Sequence, residues 1–138
     1  MRRVVLDASM ALAWCFPDEA SDYADGVLLS LEGKTVLVPA IWSLEVANAI
    51  WVGERKKRLK PGEVQRFTAL LDSLSLALDV RSLSDHVNSV LPLAHEHDLS
   101  AYDAAYLELS IRYGAPLATF DGKLQRAARK AGIKVFAG

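Results

Sequence analysis

Hydrophobic positions along this chain follow two alternating patterns. Short unbroken apolar runs, such as Val4-Val5-Leu6 and Val36-Leu37-Val38, are separated by longer stretches in which apolar side chains recur every three or four positions. The first pattern suits strands buried on both faces, the second amphipathic helices. Arg3 to Asp7 therefore reads as a short central strand, followed by a helical segment from Met10 to Cys15 that breaks at Pro17. A helix is expected from Glu19 to Leu31 with Gly33 as its stop, then a strand from Thr35 to Val38 ended by Pro39.

A long helix is expected over Trp42 to Lys57, with Ser43 near its start and a basic end that suits the helix dipole. Pro61 opens another, roughly Gly62 to Ser73, and "LSLALDV" (74–80) reads as a third strand, although Leu, Ala and Ser are also comfortable in a helix. Ser84 is expected to cap a helix from Asp85 to Leu91 that ends before Pro92. Ser100 is expected to cap a helix from Ala101 to Tyr113 that stops at Gly114. "APLATF" (115–120) then reads as a strand entering Asp121, Lys123 to Ala131 as a helix closed by Gly132, and "IKVFA" (133–137) as a final strand. Strands separated by helical lengths predict an α/β fold, with a mostly parallel sheet covered by helices. No repeat, low-complexity tract or linker divides residues 1–138, so a single domain is expected.

At 51% hydrophobic and 24% charged residues, the 138-residue chain has the composition of a folded globular protein rather than a disordered one. Its formal net charge of -1 excludes a uniformly basic nucleic-acid binder but leaves local patches open. Two such patches exist: Arg55 to Lys60, and the run Lys123, Arg126, Arg129, Lys130 and Lys134. Each reads either as a solvated helix end or as a set of phosphate contacts. Cys15 is the single cysteine and cannot form an internal disulfide, which fits a reducing compartment; its setting, Ala-Trp-Cys-Phe, reads as that of a small buried hydrophobe. The amino terminus lacks a signal-peptide pattern and no segment is long enough to span a membrane, so a cytoplasmic location is expected.

The candidate chemistry lies in the acids. Asp7 directly follows the first apolar run, and Asp121 follows the strand around Leu117 to Thr119. Ligands of open α/β sheets bind beyond the carboxyl ends of the strands, so these two acids are expected to approach one another. Glu45 stands in the apolar stretch "IWSLEVANAIWV", and helical spacing puts Asn48 beside it in one narrow polar stripe. Asp103 fits a capping box with Ser100. Taken singly, each acid has an ordinary structural use as a turn former, a cap or a solvated side chain. If the four converge, their mutual repulsion requires a neutralising partner, and a divalent cation such as Mg2+ or Mn2+ suits carboxylate and water oxygens. The chemistry suggested by that combination is metal-assisted phosphodiester cleavage.

Other enzyme readings fit the spacing less well. An aspartyl-phosphate hydrolase would carry a second aspartate two residues after Asp7, where this chain has Ser9. No serine sits in G-x-S-x-G, and no Gly-rich phosphate loop or dinucleotide fingerprint occurs. His95 and His97 flank Glu96 in a short polar stretch that reads as an exposed connector rather than as a zinc site.

Three segments together, "VVLDASMALAWCFPDE", "VPAIWSLEVANAI" and "LSAYDAAYLELSIRYGAPLATFDGKLQRAARKAG", resemble the PIN-domain ribonucleases, in particular the toxin component of VapBC-type toxin-antitoxin pairs. The first carries Asp7 and Ser9, the second Glu45 and Asn48, the third Asp103, Thr119 and Asp121. The resemblance implies a three-layer α/β/α PIN-like fold and endonucleolytic cleavage of RNA dependent on Mg2+ or Mn2+. It assigns Asp7, Glu45, Asp103 and Asp121 to the acidic site, with Asp7 and Asp121 as direct ligands and Glu45 and Asp103 binding directly or through water. Glu45 would also orient the attacking water, while Ser9, Asn48 and Thr119 support the arrangement. It further implies a homodimer and a cognate VapB-type antitoxin, with Trp14, Phe16, Trp42 and Trp51 divided between core packing and contact surfaces. The non-enzymatic alternative is a PIN-like module that binds RNA or protein without cutting.

Overall fold

The structure, a computed structural model, describes residues 2–137. The apolar run at the start forms β1 (Arg3–Leu6) and leads into α1 (Ala8–Cys15); a 3-10 turn at Pro17–Glu19 precedes α2 (Asp22–Ser30) and β2 (Thr35–Pro39). Then come α3 (Ile41–Arg55), α4 (Pro61–Asp72), β3 (Leu76–Asp79), α5 (Leu83–Asp85), a π-helical turn (His86–Val90) and α6 (Leu91–His97). The chain finishes with α7 (Ala101–Tyr113), β4 (Leu117–Ala118) and α8 (Gly122–Lys130). These elements form a three-layer α/β/α sandwich around a parallel sheet of order β3-β2-β1-β4.

The central strands carry the core. Val4, Val5 and Leu6 of β1 and Val36 and Val38 of β2 are almost completely buried, as their unbroken apolar runs require when helices cover both faces. Helix α7 packs on β1 and β2 and places Tyr106, Leu107 and Leu109 in the same core. Cys15 is buried as expected, and burial, with Glu63 and Glu19 nearby, pushes its thiol up to about 11.

Several boundaries differ from the sequence expectation, each for a local reason. The helix expected from Glu19 begins only at Asp22, because Ser21 adopts an extended backbone and its hydroxyl accepts the Ala24 N–H over 3.1 Å. Pro92 does not end its helix. It stands in the first turn of α6, after a π turn in which the Leu91 N–H reaches back to the His86 carbonyl. That wider turn changes the hydrogen-bond register just where proline has no donor to give. His95 and His97 therefore lie on α6 rather than in a connector. The cap of the preceding turn is Ser82, not Ser84. The final "IKVFA" strand is reduced to a parallel bridge between Val135 and Leu117, because β4 itself spans only two residues before the chain turns at Asp121. Helix α7 and its Ser100 cap match expectation, and Gly114 closes it at φ 62°, a conformation that favours glycine.

Gly53, inside α3, answers to packing. A Cβ there would meet the Phe16 ring at 2.5 Å, so the helix accepts the low propensity of glycine to let the ring through.

Candidate active site

Parallel pairing of β1 with β4 assembles the centre of the site. Leu6 lies opposite Ala118, and the Asp7 N–H donates to the Ala118 carbonyl over 2.9 Å, so Asp7 and Thr119 leave the sheet side by side. Asp7 has the extended backbone of a helix cap, but its side chain makes no capping bond to α1. The carboxylate turns instead to hydroxyls: Thr119 Oγ1 donates to Asp7 Oδ2 over 2.5 Å and Ser9 Oγ donates to the same oxygen over 2.8 Å. Those hydroxyls accept in turn from the strand-end backbone, Ser9 from the Phe120 N–H at 3.2 Å and Thr119 from the Asp121 N–H at 3.0 Å. A buried carboxylate at 5% exposure is thereby held by donors that are themselves oriented.

Asp121 performs two tasks at once. Its Oδ1 accepts the N–H groups of Lys123 and Leu124 at 2.9 and 3.2 Å, capping α8. Asp103 sits in the first turn of α7, where its N–H donates to Ser100 Oγ over 3.1 Å. The structural uses of both acids are therefore real, and neither consumes the whole carboxylate.

Glu45 projects from the second turn of α3, half-buried, and accepts a hydrogen bond from Tyr106 of α7 over 2.6 Å. The sequence does not single out Tyr106: in "AYDAAYLEL" it reads as one more core aromatic, and its partner lies 61 residues away. Asn48 is exposed on α3 and makes no hydrogen bond to the carboxylates among the described residues.

Electrostatics tie the four acids into one group. Burial raises Asp7 above the usual carboxylate range, against the hydrogen bonds of Thr119 and Ser9, and Asp121 adds repulsion. Burial also raises Glu45, opposed by the Tyr106 hydrogen bond and reinforced by the charges of Asp7 and Asp103. Asp103 is raised by burial, then by Asp121 and Asp7, while Ser100 and Lys123 lower it. Asp7, Glu45 and Asp103 thus each sense at least one other acid of the set, and the donor set is all oxygen, which fits a hard divalent cation such as Mg2+ or Mn2+. Among the described residues, no group of three or more histidine, cysteine, aspartate or glutamate side chains is already arranged to hold a metal ion.

The basic residues divide. Arg58 is committed to Asp18 and Glu19 at 2.8 and 2.9 Å and lies over the Phe16 ring, and Lys123 pairs with Asp98 at 3.3 Å. No helix among the described residues is long and apolar enough to cross a membrane.

Residues 4–130 match the PIN domain family. The chain is 31% identical over 122 residues to Ribonuclease VapC3 of Pyrobaculum aerophilum, covering 88% of this chain and 92% of that one. Its fold is similar to that of PAE2754 from Pyrobaculum aerophilum, with a TM-score of 0.67 at 24% identity over 91% of this chain and 79% of that one. It is also similar to FitAcB from Neisseria gonorrhoeae, with a TM-score of 0.63 at 17% identity over 96% of each chain. VapBC2 from Rickettsia felis, solved bound to a DNA fragment from their promoter, gives a TM-score of 0.65 at 15% identity over 97% of each chain.

Proposed function

Because this chain belongs to the PIN domain family, we propose that it is a metal-dependent endoribonuclease, the toxin of a toxin-antitoxin pair. The observation that carries the reading is the electrostatic coupling of Asp7, Glu45, Asp103 and Asp121 at the carboxyl end of the sheet, where four different elements deliver them. In this reading the four carboxylates hold Mg2+ or Mn2+, Asp7 and Asp121 directly and Glu45 and Asp103 directly or through water. A bound cation supplies charge neutralisation at the phosphate and a more acidic water.

The chain's own residues do the rest. Ser9 and Thr119 aim Asp7 and favour its charged form against burial by donating to one of its oxygens. Asp121 is fixed by its cap bonds through Oδ1, which leaves Oδ2 for the ion. Glu45 orients the attacking water and receives its proton in the reaction, a task favoured by a carboxylate raised through burial. Among the described residues Arg126, Arg129 and Lys130 of α8 have no carboxylate partner, and they offer phosphate contacts along the helix that Asp121 caps.

Residues 1–138 act as one PIN-like unit in this reading, and the partners are an RNA substrate, a VapB-type antitoxin and a second copy of the chain. A groove of about 320 Å³ lined by Trp14, Phe16 and Phe67 and rimmed by Glu63 and Arg66 supports docking of an amphipathic antitoxin segment. An exposed apolar face supports self-association: Leu83, Val87, Leu91 and Tyr102 border a cavity of about 350 Å³ beside the first turn of α7.

The test is incubation of labelled total RNA with antitoxin-free protein in Mg2+ or Mn2+, in chelator, and alongside Asp7→Asn. Discrete fragments that need both the metal and Asp7 are the expected result. RNA retained without cleavage, independent of metal, would replace the nuclease by a binding module.

A further inference from the structure

Tyr106 is completely buried on α7, one turn after Asp103, among Ala104, Leu107 and Leu109. A phenylalanine would fill such a site without bringing a hydroxyl that must find a partner. The hydroxyl here meets a side chain rather than the nearest backbone: Tyr106 Oη donates to Glu45 Oε1 over 2.6 Å. The Ala8 backbone lies close enough to the phenol oxygen to oppose, in small part, the upward shift of the phenol. One phenol, carried by α7, therefore bonds to the glutamate of α3 and lies beside the start of α1, the helix that follows Asp7.

The direction of the bond is set by the two groups. Burial and the nearby charges of Asp7 and Glu45 hold the phenol protonated, so it is the donor and the carboxylate is the acceptor. A half-buried glutamate has three rotatable side-chain bonds and would otherwise sample several rotamers. With Oε1 tied to Tyr106, Oε2 has no hydrogen-bond partner among the described residues and is the oxygen left to face the other acids.

We propose that Tyr106 is a positioning residue that fixes Glu45 so that its second carboxylate oxygen points into the metal site, while holding α3 at a set distance from α7. This inference rests on the reading of the four carboxylates as a metal site. Asp103 and Tyr106 then work as a pair on one helix face, one supplying charge and the other aiming the charge opposite.

The test titrates Mn2+ into metal-free full-length protein by calorimetry and by electron paramagnetic resonance of the free ion, for wild type, Tyr106→Phe, Glu45→Gln and the double variant. Tyr106→Phe keeps the ring, and circular dichroism and the cooperative melt report on its fold. The expected result is a Mn2+ affinity weakened about 10- to 100-fold by Tyr106→Phe in the wild-type background, as for other groups that orient metal ligands, with no further loss in the Glu45→Gln background. Unchanged affinity in Tyr106→Phe, or an equal loss in both backgrounds, would reduce Tyr106 to a core aromatic. A packing defect lowers the melting temperature equally in both backgrounds, so it does not imitate the expected result. Wild-type protein that takes up no Mn2+ would overturn the metal site itself, an outcome distinct from a wild type that binds and a Tyr106 variant that binds equally well.

Discussion

The Thr119 hydroxyl donates to Asp7 over 2.5 Å, joining two residues 112 positions apart that parallel pairing of β1 and β4 sets side by side. Thr119 is completely buried, so its hydroxyl has little alternative use. Thr119→Val preserves the shape and removes the donor. The Asp7 charge then keeps only Ser9 as a hydroxyl partner, and a lost hydrogen bond to a charged group costs about 1.5–3 kcal/mol. The expected outcome is a folded protein, less stable at neutral pH, with Mn2+ affinity and RNA cleavage each reduced at least about tenfold. Wild-type values in both assays would remove Thr119 from the support of Asp7.

Asp7→Asn separates function from stability. The carboxylate is buried and raised above its ordinary range, chiefly by desolvation, so its ionised form is a burden to the metal-free fold. An amide of nearly the same volume relieves that burden and removes the charge the cation needs. RNA cleavage is therefore expected to fall by more than about a hundredfold, beyond the loss typical of a supporting residue, while the melting temperature in chelator rises. A variant that cleaves near the wild-type rate would place the chemistry elsewhere.

The pH dependence has a definite sign. Asp7, Glu45 and Asp103 all have folded values raised by burial and by one another. For groups raised on folding, the stabilising contribution is complete below the ordinary carboxylate range and is lost as pH rises through the folded values. The wild type should therefore gain stability relative to Asp7→Asn as pH falls from neutral, until both carry a neutral side chain at residue 7. Mn2+ competes with those protons, so its stabilising increment should shrink over the same fall. Denaturant melts of both proteins in chelator and in Mn2+ from pH 7.5 to 4.5 measure this, and a gap that widens as pH falls would contradict it.

Much of this arrangement is legible in the sequence because it is local. Ser100, Asp103 and Gly114 bracket α7 through caps that span a few residues, and the apolar runs around Val5 and Leu37 identify β1 and β2 by themselves. Asp7 and Asp121 follow from strand ends in the same way, whereas Glu45 and Asp103 lie on helices. What escapes is what depends on distant partners. Tyr106 and Glu45 are 61 residues apart, and Arg81 and Glu108 are 27 apart, so nothing near either residue announces the bond. Pro92 misleads for a different reason: the π turn before it is a hydrogen-bond register, and the residues His86 to Val90 carry no compositional sign of it.

Glu108 gives a stability prediction away from the acids. It is 8% exposed on α7 and accepts from Arg81 at 2.8 Å and from Arg112 at 3.0 Å, while Arg112 also forks onto Asp79 of β3 at 2.6 and 3.1 Å. Arg112→Met keeps much of the aliphatic stem and removes one of the two cations that compensate Glu108. Breaking a buried pair costs about 3–5 kcal/mol, and the partial exposure of Arg112 together with the remaining Arg81 reduces the expectation to about 2 kcal/mol. Urea unfolding should show this loss with Mn2+ affinity retained. A stability within about 0.5 kcal/mol of wild type, the range of an ordinary surface change, would mean the network adds little to the fold.

The proposed homodimer makes the last prediction. Leu83, Val87 and Leu91 recur every four residues along the segment from α5 to α6, at 79%, 47% and 43% exposure, and Tyr102 at 62% stands across the cavity from them. So many large apolar side chains on one face are costly in water at about 25 cal/mol per Å², and a second copy presenting the same face removes them symmetrically. Wild-type protein should therefore sediment at twice the 15.1 kDa of one chain, and Val87→Glu, which places a charge at the centre of the face, should sediment at that single mass. Because Tyr102 precedes Asp103 on α7, dimerisation through this face would bring the second copy near the acidic site and add its surface to the RNA-binding face. The monomeric variant should then lose affinity for RNA while retaining Mn2+ binding, since the four carboxylates all come from one chain. A wild type that remains monomeric at high concentration, or a Val87→Glu protein that still dimerises, would assign the exposed face to another partner.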